Sequence, residues 1–105
     1  MPYPKLVRDR IPVIIAESGR QCRTTVLTKP VFLVALRAKL VEEALEVQAA
    51  MSEELLTELA DVLEVVEALL TTYGFTQAQV HAVQQQRRQT RGGFESRRQL
   101  EWVGE

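Results

Sequence analysis

Two consecutive stretches, residues 29–51 and 52–73, repeat apolar side chains at a helical interval, with only a short break at Met51 and Ser52 between them. Phe32, Leu36, Leu40, Ala44 and Val47 mark the first stretch. Leu55, Leu56, Leu59, Val62, Leu63, Val66, Leu69 and Leu70 mark the second. Helices joined so closely fold back as an antiparallel hairpin. Glu42, Glu43 and Glu46 lie near the end of the first arm, and Glu58 and Asp61 near the start of the second. A helix turns by about 100° per residue, so each i, i+3 pair, Glu43 with Glu46 and Glu58 with Asp61, projects within about 60°. Residues equidistant from a hairpin turn face each other. Glu46 and Glu58 are each six residues from Ser52, and Glu43 and Asp61 are each nine. The spacing therefore brings four carboxylates into one small volume between two helices.

The remaining elements follow from caps and breakers. Asp9 is expected to cap a short helix running to about Ser18, with Pro12 in its first turn and Gly19 as its stop. Thr28 caps the first long helix, with Pro30 near its start, and Ser52 caps the second, which Gly74 ends. Thr76 caps a fourth helix reaching about Thr90, and Arg91, Gly92, Gly93 and Phe94 form a tight loop in which Phe94 packs. Residues 22–27 are rich in β-branched side chains and residues 100–103 alternate weakly. The two can pair into a small two-stranded β ribbon, with Trp102 anchoring the tail. The expected fold is mainly α, a four-helix bundle forming one domain over residues 1–105.

Composition narrows the chemistry. Thirteen basic residues oppose fourteen acidic ones, and this net charge of −1 excludes general attraction to nucleic-acid polymers or anionic lipid. Cys22 and His81 are the sole members of their types, so a thiolate zinc site or a His-rich centre cannot form, and any metal must be held by oxygen. His81 reads as a surface residue of the fourth helix. No apolar run reaches the ~20 residues that span a bilayer, and the opening residues hold no apolar signal region, so a cytoplasmic location is expected.

Charge is unevenly distributed along the chain. Residues 40–86 carry nine acids and no Lys or Arg, whereas residues 87–98 carry five arginines and one acid. A solvated helix face usually mixes signs at i, i+4, but here Glu42/Glu46 and Glu54/Glu58 are like-charged. Clustered carboxylates without a cation must take up protons or repel, and a divalent ion removes the difficulty. Oxygen ligands alone select Mg²⁺, Mn²⁺ or Ca²⁺, and with no glycine-bearing EF-hand loop the first two are favoured. Mg²⁺ sites are commonly completed by substrate phosphates. Arg87, Arg88 and Arg91, with Arg8 and Arg10, are candidates for the remaining phosphate oxygens, and the amides of Gly92 and Gly93 can approach an anion closely.

These residues resemble a known family. Glu42-Glu43-x-x-Glu46 followed by Glu58-x-x-Asp61 looks like the EExxE…ExxD signature of the MazG-like all-α nucleoside triphosphate pyrophosphohydrolases, relatives of phosphoribosyl-ATP pyrophosphohydrolase. Lys5-Leu6-Val7-Arg8-Asp9-Arg10-Ile11-Pro12, Lys39-Leu40-Val41-Glu42-Glu43, Glu58-Leu59-Ala60-Asp61 and Arg91-Gly92-Gly93-Phe94 are similar to a small single-domain subgroup, in order along nearly the whole chain. The resemblance implies dimers or dimers of dimers. It also implies Mg²⁺, or Mn²⁺, on Glu43, Glu46, Glu58 and Asp61. The implied reaction is hydrolysis of the α–β phosphoanhydride of nucleoside triphosphates to monophosphate and pyrophosphate, clearing unwanted nucleotides. By position Glu42 becomes either a group supporting the metal ligands from behind or the base that orients the attacking water, and Lys39 a phosphate contact or a simple i, i+4 partner of Glu43. Glu64 is an extra candidate ligand. Only eleven residues separate Glu46 from Glu58, at the short end of the family spacing, so the hairpin must be tight.

The apolar residues of the third helix wrap most of its circumference, which calls for burial against a second copy. Two other readings compete. One is phosphoribosyl-ATP pyrophosphohydrolase. The other is a non-enzymatic helical dimer whose acidic face binds a basic partner, for which metal would be irrelevant.

Overall fold

The computed structural model of the chain describes residues 4–105. Four helices follow in order: α1 (Ile11–Glu17), α2 (Lys29–Ala49), α3 (Leu55–Tyr73) and α4 (Gln77–Arg91). They divide between two compact units, one ending at Gly74 and one comprising Phe75–Glu105. Among the described residues no strand is present. No helix of these residues is long and apolar enough to cross a membrane.

The first unit is built on the expected hairpin, with α2 packed along α3. Alanine, leucine and glutamate supply about half of α2 and suit a helix interior. Thr28, extended at φ −64° and ψ 158°, precedes it, and Pro30 occupies its first turn, where a missing N–H costs nothing. Ala50 turns extended and ends α2. The chain then reverses through a turn in which Glu54 N–H donates to the Met51 carbonyl and Leu55 N–H to that of Ser52. This turn moves the start of α3 to Leu55. Ser52, expected as its cap, lies in the turn instead, and so do Glu53 and Glu54. Gly74 closes α3 in the left-handed conformation at φ 79°, which a side chain would strain.

Leu36 of α2 and Val65 of α3, 3% and 8% exposed, form the buried centre of the hairpin. Toward its open end, Arg37 lies over the Tyr73 ring at 5.6 Å and donates to the Tyr73 hydroxyl at 2.7 Å. Helix α1 begins one residue later than expected. Ile11 N–H donates to the Arg8 carbonyl at 3.0 Å, so Arg10, not Asp9, takes the cap position, without a side-chain bond. Its end is a Schellman motif: Arg20 N–H reaches Ile15 and Gly19 N–H reaches Ala16, with Gly19 at φ 85°.

The expected β ribbon is absent. Residues 22–27 run exposed without regular structure, and so do residues 100–103. Strand preference reflects packing on a half-buried surface, and an isolated two-stranded ribbon is marginal in water. Neither segment has such a surface, so β-branching alone does not order it.

In the second unit, α4 carries a full capping box. Gln79 N–H donates to the Thr76 hydroxyl at 3.1 Å, and Thr76 N–H donates to the Gln79 side-chain oxygen at 2.8 Å. Gly92, at φ 81°, ends the helix, and Arg88 and Glu95 pair across the loop that follows. A Cβ at Gly93 would run into both of those side chains. Phe94 and Trp102 are 95% and 81% exposed, so neither packs the loop nor anchors the tail as expected. His81 is exposed, as its helical setting suggested.

With so small a buried centre, the hairpin rests on few side chains. Leu36→Ala should cost about 2–5 kcal/mol, the range for emptying a buried leucine site, and should show as a large drop in the thermal midpoint followed by circular dichroism.

Candidate metal centre

The chain reversal sets the site. Glu43 comes from α2, and Glu58 and Asp61 come from successive turns of α3. Each of these three half-buried residues offers a carboxylate oxygen within 4.8 Å of the others'. Glu43 and Asp61 thus meet as their equal distance from the turn requires. Glu46, at the same level as Glu58, is exposed and stands outside this close group, yet its charge still acts on Glu58.

The electrostatic cost falls on Glu58. Desolvation pushes its carboxyl above the ordinary range, and the charges of Glu46, Asp61, Glu43 and Glu54 push the same way. Its place in the first turn of α3 offsets part of this, because the helix dipole there favours an anion.

Lys39 and Arg8 pair with the acids. Lys39, one turn before Glu43, places its ammonium 3.3 Å from Glu42 and 3.5 Å from Glu43, so it makes the i, i+4 pair read from the sequence and an i, i+3 pair besides. Arg8 reaches from the segment before α1, with Nη1 3.1 Å from Asp61 Oδ1 and Nη2 3.8 Å from Glu64 Oε1. Glu42 therefore borders the triad, held by Lys39, and Glu64 is held by Arg8.

A cleft of about 820 Å³ adjoins the acids. Glu43, Asp61 and Glu64 form one part of its wall, Lys5, Arg8, Arg10 and Lys39 supply cations, and Phe32, Leu36, Val65 and Ala68 give it an apolar floor. Its volume is in the range of small-molecule sites, ~300–1,000 Å³. The part played by Lys5 is not evident from spacing, although the basic run Lys5, Arg8, Arg10 is visible as charge.

The C-terminal arginines have a different setting. Arg87, Arg88 and Arg91 belong to α4 in the second unit, with Arg88 and Arg91 in its last turn, where cations favour the dipole. Arg88 is paired with Glu95 and holds that carboxyl below its usual range.

The donor set fits a hard divalent ion: three carboxylates, no nitrogen or sulfur, partly desolvated and mutually repelling. Comparison with known proteins finds no matching family model, no matching curated sequence and no matching solved structure.

The raised Glu58 carboxyl gives a signed expectation. The folded chain keeps that proton to higher pH than the unfolded chain, so stability falls as pH rises from the ordinary carboxylate range through the raised value. Glu58→Gln should therefore raise the melting midpoint of the metal-free protein at neutral pH. The gain should shrink once the pH drops below the ordinary carboxylate range, as thermal melts across pH would read.

Proposed function

We propose that this chain is a Mg²⁺-dependent nucleoside triphosphate pyrophosphohydrolase, cleaving the α–β phosphoanhydride to a monophosphate and pyrophosphate. The observation that carries the reading is the convergence of Glu43, Glu58 and Asp61, from two helices, at the edge of a cation-lined cleft. The similarity of the acidic pattern and its flanking blocks to the MazG-like enzymes supports it.

Glu43, Glu58 and Asp61, with Glu46 beside them, would hold Mg²⁺ or Mn²⁺. The bound ion supplies charge neutralisation at phosphate oxygens and a more acidic water. The chain's own side chains do the rest. Arg8, Arg10 and Lys39 face the cleft and receive the phosphate oxygens. Glu42, steadied by Lys39, takes the proton from the attacking water as the new P–O bond forms and the bridging P–O bond to pyrophosphate breaks. Phe32 and Ala68, backed by the buried Leu36 and Val65, offer the base an apolar surface without hydrogen-bonding groups of their own. Such a floor favours breadth over a single base.

Assembly belongs to the same proposal. Val34, Val41 and Leu45 make one exposed stripe on α2, and Leu56, Leu59 and Leu63 make another on α3. Apolar surface of this extent suits burial between two copies, giving a dimer or a dimer of dimers. Leu63→Glu should convert the assembly to monomer in light scattering after size exclusion.

A hydrolysis panel across nucleoside triphosphates, with Mg²⁺ and with Mn²⁺ and with both products identified, tests the activity. Monophosphate and pyrophosphate should appear together. Release of inorganic phosphate and a diphosphate would refute the bond assignment, and hydrolysis of phosphoribosyl-ATP alone, when it is added to the panel, would favour the phosphoribosyl-ATP pyrophosphohydrolase reading. Asp61→Asn should lower turnover by at least about a hundredfold and abolish the rise in melting midpoint that Mn²⁺ gives the parent.

A further inference from the structure

Arg8 holds a position that a metal-loaded centre would contest. Its guanidinium lies 3.1 Å from Asp61 Oδ1 and 3.8 Å from Glu64 Oε1, and Asp61 is one of the three clustered acids. The backbone of Arg8 is fixed by the hydrogen bond from Ile11 N–H to its carbonyl. The side chain is 60% exposed and borders the cleft, so it can swing without disturbing packing. A guanidinium and a dication cannot share one carboxylate cheaply, since charges of like sign a few ångströms apart repel. A phosphate, in contrast, accepts two parallel N–H bonds from the planar guanidinium and carries more charge than one carboxylate.

We propose that Arg8 is an exchangeable counter-ion of the acidic centre: it neutralises Asp61 and Glu64 when no divalent ion is bound, gives way when one binds, and then takes a phosphate oxygen of the substrate in the adjoining cleft. The proposal rests on the metal-centre reading above and deepens it. It makes Arg8 an opponent of the metal when nucleotide is absent and an ally when it is present. Metal and nucleotide then bind with positive coupling, each tightening the other by the same factor.

The test is Mn²⁺ binding, followed by electron paramagnetic resonance, to the full chain, to Arg8→Ala and to Arg8→Lys, each with and without a non-hydrolysable nucleoside triphosphate analogue. Without the analogue, Arg8→Ala should bind Mn²⁺ about three- to tenfold more tightly than the parent, the range expected for removing one partly solvated opposing charge. The tightening that the analogue gives the parent should be smaller in Arg8→Ala, the remainder coming from the attraction of the ion itself for phosphate. Arg8→Lys keeps the charge and should bind Mn²⁺ alone as the parent does. An Arg8→Ala protein with unchanged or weaker Mn²⁺ affinity, or with undiminished coupling, overturns the exchange while leaving the metal centre intact. Failure of parent and variants alike to bind Mn²⁺ overturns both. A retained helical spectrum in circular dichroism confirms that the variants compared are folded.

Discussion

The antiparallel contact of α2 with α3 is the constraint on which the rest of the first unit depends. Leu36 and Val65 are buried against it, the reversal between Ala49 and Leu55 sets its register, and the Arg37–Tyr73 contact ties its open end. Once that register is fixed, Glu43 has no choice but to meet Asp61 and Glu58. Hydrophobic burial is non-directional, but the helical repeat converts it into a specific superposition of polar groups. The acids are brought together by leucine and valine packing, at an electrostatic cost that shows as the raised Glu58 carboxyl.

How that cost is relieved separates two kinds of pairing. Lys39 is local, one turn from Glu43 on the same helix, and any α2 helix would bring the two near. Arg8 is remote, 53 residues from Asp61, and arrives only because the turn before α1 presents it to α3. A local pair follows the helix wherever it goes, whereas a remote one is informative about the site. The exposed Arg8 pair contributes at most about 1 kcal/mol and the Lys39 pairs are more sheltered, yet the Glu58 carboxyl stays raised by its acidic neighbours. A site left in this condition is suited to a stronger cation.

The first unit is also thin. A single hairpin with α1 buries few side chains, and its apolar stripes on α2 and α3 stay exposed in the isolated chain. Helices that are apolar on several sides are stable when a second layer covers them. The clustered acids and the stripes share the same two helices, α2 and α3.

The sequence by itself determined the helices and the level at which their acids meet. The 3.6-residue repeat, Gly74 as a left-handed stop and the Thr76–Gln79 box are local properties, settled within a few residues by sterics and backbone hydrogen bonding. The distance of each acid from the turn is a count, and counting sufficed to match Glu43 with Asp61. Three things were decided only in three dimensions. Residues 22–27 have strand-like composition but no surface to pack on, so they form no strand. Glu46 has the right level and its charge reaches Glu58, but its side chain stays exposed outside the close group, because the facing of a helix residue depends on which apolar residues the neighbouring helix accepts. Arg8 meets Asp61 across half of the chain, 53 residues away, a contact that no local pattern encodes.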